Sequence, residues 1–405
     1  MEAVAEFMQI VTDAGALPTV RVIEGPTSEP EVTIDGRQVL LFCSSNYLGL
    51  ATHPEVKQAV ADALGQYGVG ANGSRLVSGT TEWHLALEAE TAALKGTEAA
   101  IAFPTGYMAN TGTIPALAYL PYFARTAGLP LESETRHMVV LSDALNHASI
   151  IEGLEAARAK HVYYAHCDLD ALEEKLCRHQ DKRLLIVTDG VFSMDGDIAP
   201  LPGILSLARQ YGATVLLDDA HATGVLGRTG RGTLEHFGLE GSPEVLEMGT
   251  YSKAFGSLGG FVAADRPTVD YLRVAARSYM FSGALPPCLA AGIVMAMKIA
   301  EREPQRRVRL MRNRDYLVFG LEDLGFDTLG SETPIVPILV GDDDKAEAMS
   351  GELFARGLFA PCVRWPAVAR GQSRIRITLT ASHERAHLDR LLEGLAEVGG
   401  KFAVV

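Results

Sequence analysis

No apolar run in this chain is long enough to span a bilayer as a helix. The stretch around Leu289 to Met297 is broken by Gly292 and stops at Lys298, so it reads as a buried helix. A charged-then-apolar leader is missing at the N-terminus, which sets the expectation of a cytoplasmic protein. Cysteine is scarce. Cys43, Cys167, Cys177, Cys288 and Cys362 are scattered, odd in number and without metal-ligand spacing; they read as reduced thiols, and no metal site is expected. Repeats, low-complexity tracts and charge blocks are absent too. Basic residues are outnumbered by acidic ones, 36 to 50, and the net charge of −14 argues against a broad nucleic-acid surface. A local basic patch for an anionic thioester carrier remains compatible with that balance.

What the chain has is length and a repeating pattern. Its 405 residues, 47% of them hydrophobic, can bury a large core divided between two or three unequal units. Residues 1–45 read as a helix, a Gly-Pro-rich connection and a hairpin around Asp35-Gly36. Residues 46–285 alternate strands with helices, the α/β pattern of a mostly parallel sheet covered on both faces. Residues 286–405 begin with helices and continue into a smaller α+β unit, with strands predicted at Ile335–Val340 and Ser373–Leu379.

Within the 46–285 region the chemistry gathers at strand ends. Lys253 lies in Gly-Thr-Tyr-Ser-Lys-Ala-Phe-Gly-Ser-Leu-Gly-Gly, Gly249 to Gly260, where small neighbours let a bulky ring and phosphate approach the backbone. An amine attacks an aldehyde only when deprotonated, so such a lysine needs desolvation or a nearby positive charge. Alone, the run reads as a surface lysine in a glycine-rich loop. Its companions decide otherwise. Thr214 to Gly224 is an apolar strand ending at Asp218, which could hold a proton on a cationic ring nitrogen, with His221 three residues on. By itself that end could also be an exposed strand terminus or a divalent-metal pair. Ala100 to Asn110 reads as strand, turn and helix start, and the backbone N–H groups of Thr105, Gly106 and Tyr107 make a phosphate seat. Val139 to Ile151 ends a strand before His147, an imidazole that could stack on a flat ring or serve structure alone. Leu184 to Asp197 ends another, with Ser193 in the loop.

These segments, in this order, resemble the α-oxoamine synthases, fold-type I pyridoxal-phosphate enzymes, over nearly the whole chain. The resemblance also covers Ser45 to Leu50, Gly73 to Thr80 with His84 and Leu87-Glu88, Asn146 to Ser149, Phe281-Ser282 through Leu285-Pro286-Pro287, and Ser373 to Arg376. It implies the aspartate-aminotransferase-like fold, with a large cofactor-binding domain at 46–285 and a small C-terminal domain at 286–405. It further implies pyridoxal 5'-phosphate bound covalently by Lys253, which later moves the α-proton. Asp218 would pair with the ring nitrogen, His147 stack on the ring, and His221 bond the ring oxygen with Ser193 nearby. Gly106, Tyr107 and Thr250 would hold the phosphate. Ser282 would reach the phosphate of a neighbouring subunit in a homodimer; Gly283 stands where the family has Thr or Asn. Arg374 would clamp the amino-acid carboxylate, although alternation with Ile375 and Ile377 also fits a strand-surface charge. Asn46 and Ser74 would contact substrate.

The implied reaction condenses a small amino acid (alanine, glycine or serine) with an acyl-CoA or acyl-carrier thioester, releasing CO2 and thiol. Transamination, racemisation or retro-aldol cleavage on the same scaffold would release no thiol, and a non-catalytic partner subunit would bind no cofactor through lysine. The stretch Ser74 to Gly79 leans towards the oxononanoate synthases, whereas Tyr251 to Gly260 leans towards the serine palmitoyltransferases. Two departures stand out. The apolar excursion from Tyr119 to His137 is a packed contact or a wall for the acyl chain, and Asn72 occupies a place where glycine is frequent, which could alter a pocket.

Overall fold

A computed structural model describes residues 1–13, 20–120, 128 and 137–405. Most of the Tyr119 to His137 excursion therefore lies outside the described residues.

The chain opens with α1 (Glu2–Asp13), the short β1 (Ile23–Glu24), and the hairpin β2 (Glu31–Ile34) and β3 (Arg37–Leu41). Asp35 and Gly36 both have positive φ, 51° and 74°, the backbone that matches a two-residue turn to the twist of its strands. Next come α2 (Pro54–Tyr67), α3 (Glu82–Lys95), β4 (Ala99–Phe103) and α4 (Gly106–Ala118). Alternation follows: β5 (Met138–Asp143), α5 (Ala148–Ala157), β6 (Lys160–Tyr164), α6 (Leu169–Arg178), β7 (Arg183–Asp189), α7 (Leu201–Tyr211) and β8 (Thr214–Asp218). A short α8 (Thr233–Phe237) precedes β9 (Val245–Thr250) and β10 (Gly260–Ala264), then α9 (Arg266–Ala275), α10 (Arg277–Met280), α11 (Pro287–Arg302) and α12 (Gln305–Asp323). The chain ends with β11 (Ile335–Gly341), α13 (Asp343–Ala355), β12 (Leu358–Phe359), β13 (Cys362–Val363), β14 (Ser373–Thr378) and α14 (Arg385–Lys401).

Seven strands form the main sheet in the order β4-β10-β9-β8-β7-β5-β6, parallel except for β10, which runs antiparallel to both neighbours. Period-two alternation sends Leu185 and Val187 to one face and Leu184 and Ile186 to the other, and all four are buried because helices cover both sides. Each such side chain contributes roughly 1.5–3 kcal/mol by leaving water. The register aligns the carboxyl ends: Asp189 pairs with Asp218, and Asp218 with Met248. Strand ends at the same level are what place distant residues around one cleft.

The smaller sheets show a connection that the sequence concealed. β12 pairs in parallel with β3, so the N-terminal hairpin shares its sheet with the C-terminal part of the chain. β11, β14 and β13 form a separate antiparallel sheet, and α13 buries Met349 and Leu353 in the same core. Among the described residues no helix is long and apolar enough to cross a membrane.

Candidate active site

The carboxyl ends of the parallel strands face a cleft of about 270 Å3 lined by Gly106, His147, Asp189, Asp218, His221 and Lys253, with Thr105, Tyr107, Ser193 and Thr250 at its sides. The start of α4 forms one wall. Thr105 is its N-cap, its Oγ1 accepting the Met108 N–H at 3.0 Å, and the first backbone N–H groups of the helix have no partner within it. Close packing keeps that turn in place. A Cβ on Gly106 would lie 3.3 Å from Met248 Cε and Thr250 Cβ, and one on Gly260 would lie 2.5 Å from Gly106 Cα.

Asp218 is fixed from two sides: Asn110 Nδ2 donates to Oδ2 at 2.7 Å, and the Ala220 N–H donates to Oδ1 at 3.1 Å. Asn110 comes from one helical turn beyond Gly106, so α4 supplies both a phosphate seat and an orienting amide. His147 lies at the mouth, where its Nδ1 accepts the Ser149 N–H at 3.2 Å; burial of the ring holds its pKa below the ordinary value, so it stays neutral. His221 is pushed well below its ordinary pKa by burial and by the charges of Lys253 and Arg376. Its Nδ1 lies 2.7 Å from the Tyr47 hydroxyl. Burial raises the Tyr47 pKa to about 12, so the phenol stays protonated beside the imidazole.

The Lys253 amine is lowered from 10.5 to about 8, first by desolvation and also by Arg376, against the opposing pull of Asp218 and Asp189. About one-tenth of it is therefore free amine at pH 7. Thr250 Oγ1 and Ser252 Oγ are 2.7 Å apart beside it. A carboxylate, a desolvated amine and a helix start around one cleft fit the ring nitrogen, aldehyde and phosphate of pyridoxal phosphate. Asp189, which lines the cleft, has a buried Oδ1 without a hydrogen-bond partner.

Homology decides the family. The profile of the aminotransferase class I and II family matches residues 37–395. An 8-amino-7-oxononanoate synthase from Geobacter sulfurreducens is 43% identical, over 100% of this chain and 99% of that protein. The chain belongs to the aminotransferase class I and II family. Within it, the chain is an α-oxoamine synthase, a pyridoxal-phosphate-dependent acyltransferase, as the resemblance had implied. Another 8-amino-7-oxononanoate synthase, from Exiguobacterium sibiricum, is 44% identical over 92% of each chain. Among solved structures, a serine palmitoyltransferase from S. paucimobilis superposes with a TM-score of 0.90 at 33% identity, over 100% of this chain and 98% of its own. The 8-amino-7-oxononanoate synthase from Francisella tularensis gives 0.75 at 25% identity, over 91% of this chain and 99% of its own.

Of the residues singled out from this sequence, Lys253, Asp218, His147, His221, Gly106, Tyr107, Ser193 and Thr250 line the one cleft. Four others lie outside its lining. Ser282 contacts Met108 Sδ at 3.7 Å, and Ser74 anchors an exposed loop through its carbonyl. The Asn46 amide is engaged locally: Oδ1 accepts the N–H groups of Leu50 and Ala51 at 3.0 and 3.3 Å, and Nδ2 donates to Ser28 Oγ at 3.2 Å. Arg374 is buried against Asp195, with Nη1 also donating to the Met194 carbonyl at 3.3 Å. It is Arg376 whose charge acts on Lys253, His221 and Tyr47. Sequence reasoning also passed over Asp189, a strand-terminal acid like Asp218, and the supports Tyr47 and Asn110, which stood in quoted segments without a role.

Proposed function

We propose that the chain condenses alanine with the thioester of a seven-carbon dicarboxylic acid, releasing CO2 and free thiol. The name of the full-length relatives' product carries the substrate reading. In 8-amino-7-oxononanoate, the amino-bearing carbon 8 and the terminal methyl correspond to the α-carbon and side chain of alanine after its carboxylate has left. The remaining seven carbons, ending in the ketone, correspond to the acyl group. The observation that carries the catalytic reading is the Lys253 amine, lowered to about 8 in the same cleft as Asp218.

Pyridoxal phosphate, when bound, supplies a cationic ring that withdraws electrons from the α-carbon of an attached amino acid. Lys253 would hold the cofactor covalently and, once released by the incoming amino acid, would take the α-proton as a free amine. Asp218 would keep a proton on the ring nitrogen. His221 would bond the ring oxygen, near Ser193, and His147 would cover the ring face. Gly106, Tyr107 and Thr250 would hold the phosphate. Arg376, rather than Arg374, would receive the amino-acid carboxylate, because its guanidinium bonds the carbonyl of cleft-lining Ser193 while Arg374 is engaged by Asp195.

We assign Ser74 and Ser282 to the cleft of a second copy. The exposed side chains around them, Leu76, Val77 and Phe281, support a homodimer with its active sites near the interface. Asn46 would shape the substrate side of the cleft through the turn it caps. The five free thiols support a cytoplasmic location. The test is an assay of thiol and CO2 release with alanine or serine paired with pimeloyl-CoA or palmitoyl-CoA. Release with alanine and pimeloyl-CoA is expected; release with serine and palmitoyl-CoA alone would transfer the assignment to the palmitoyltransferase branch, and keto acid without thiol would indicate transamination.

A further inference from the structure

Arg374 and Arg376 are two residues apart on β14 and therefore project from the same face, yet they have different surroundings. The loop 193–197 meets both. The Ser193 carbonyl accepts Arg376 Nε at 2.5 Å, while Ser193 itself lines the cleft. The Asp195 carboxylate pairs with Arg374 Nη1. The Gly196 carbonyl accepts Thr333 Oγ1 at 2.9 Å and Ser331 Oγ at 3.3 Å. Gly196 has φ +74°, and a Cβ there would lie 2.2 Å from the Ile335 carbonyl, so the loop is pressed onto β11.

These contacts close a ring from β14 through Arg374, Asp195, the loop backbone and the Ser193 carbonyl to Arg376 and back to β14. We propose that Arg374 and Asp195 are a positioning pair that aims Arg376 into the cleft, so that amino-acid affinity depends on an ion pair that no ligand touches. The proposal rests on the reading of Arg376 as the carboxylate-binding residue.

Burial makes the pair effective. The Arg374 side chain is 4% exposed and that of Asp195 23%, so neutralising Asp195 leaves a nearly dry guanidinium uncompensated and moves the loop. Arg376 already uses Nε on Ser193 and Nη1 on Thr378 Oγ1, at 3.0 Å. A planar fork fixed by those two bonds presents its remaining donors in one direction, and bidentate recognition of a carboxylate depends on that direction. A shift of the Ser193 carbonyl is therefore felt as lost carboxylate affinity.

The experiment is a spectral titration of the cofactor-loaded enzyme with alanine and with alaninamide, which has no carboxylate. Asp195→Asn is expected to raise the Kd for alanine about tenfold and leave that for alaninamide unchanged, with the cofactor absorbance retained. Asp195→Glu, which keeps the charge, is expected to restore alanine affinity, and Asp195→Asn combined with Arg374→Met to bind no worse than Arg374→Met alone. An unchanged alanine Kd, an equal loss for both ligands, or loss of cofactor in Asp195→Asn would each overturn the proposal. Arg376→Lys, measured in parallel, separates the two readings. Normal alanine binding by that variant would remove Arg376 from its role, whereas weak binding there with normal binding by Asp195→Asn would remove only the positioning pair.

Discussion

The floor of the cleft and the exposed loop Gly73 to Gly79 are held in opposite ways. At the floor, functional side chains are fixed by other side chains: Asp218 by Asn110, and His221 by Tyr47. Across Gly73 to Gly79 the backbone is fixed instead. The Gly79 N–H donates to the Ser74 carbonyl at 2.9 Å, the Ala284 N–H to the Gly73 carbonyl at 2.9 Å, and a Cβ on Gly79 would lie 2.2 Å from the Gly73 carbonyl oxygen. Arg75 alone turns in, against Glu88; the apolar side chains of the loop are open to water, Val77 being 85% exposed and Phe281, in the adjoining segment, 74%. An ordered backbone displaying apolar side chains is what a protein interface looks like before its partner arrives. One chain thus assembles the amine-and-carboxylate chemistry, and the exposed loop has the character of a surface to be covered.

The sharpest way to break that comparison is at the floor. Lys253→Ala is expected to lower thiol release about 10⁴-fold or more, because both the covalent attachment and the proton transfer disappear together. The proposed dimer should persist in this variant, as measured by sedimentation. At the exposed loop the pattern reverses. Val77→Asp with Phe281→Asp is expected to weaken self-association about 100-fold, since charges placed at the core of an interface are among the costliest changes there. Sedimentation across a concentration series checks this, and an unchanged dimer would show that the apolar loop faces something else.

The pH dependence separates the floor by a smaller factor. With the Lys253 pKa near 8, the free-amine fraction, and with it the initial rate of cofactor capture by apoprotein, should rise about tenfold per pH unit below 8 and level off above it. The stability sign follows from the same shift. Folding penalises the charged amine, so the penalty is fully present below pH 8 and is relieved as pH rises from 8 towards 10.5. A capture rate still climbing steeply above pH 9 would show a lysine left near its ordinary value.

The strand ends were legible in the sequence because a buried parallel strand is a run of apolar residues, and its first polar residue marks where the chain meets a ligand. That rule found Asp218; the β7 run ends first on Thr188, and the acid one residue later, Asp189, was passed over. The rule could not separate Arg374 from Arg376, because a period of two gives both the same face; their surroundings differ through Asp195, on a loop distant in sequence, which pairs with Arg374. Nor could pattern reveal that β12, two residues long, joins β3. So short a strand has no periodicity to read. The alanine reading came from relatives, since the residues around the cleft carry the shared cofactor chemistry and not the acyl chain.

The smallest expected effect concerns Asn72, which sequence reasoning set aside as a possible pocket residue. Its φ is +53°, it is exposed, and its Nδ2 donates to the Gly70 carbonyl at 3.3 Å. A left-handed backbone explains why glycine suits this position and why asparagine, which bonds locally and tolerates that region, can replace it. Asn72→Gly is therefore expected to change the unfolding free energy by less than about 1 kcal/mol and to leave the preference for alanine over serine untouched. Asn72→Val, which has no local bond and a branched Cβ, should cost about 1–2 kcal/mol in the same denaturation measurement. A change in amino-acid preference in Asn72→Gly without a change in stability would place this residue in the substrate pocket after all, because backbone conformation alone would then fail to account for it.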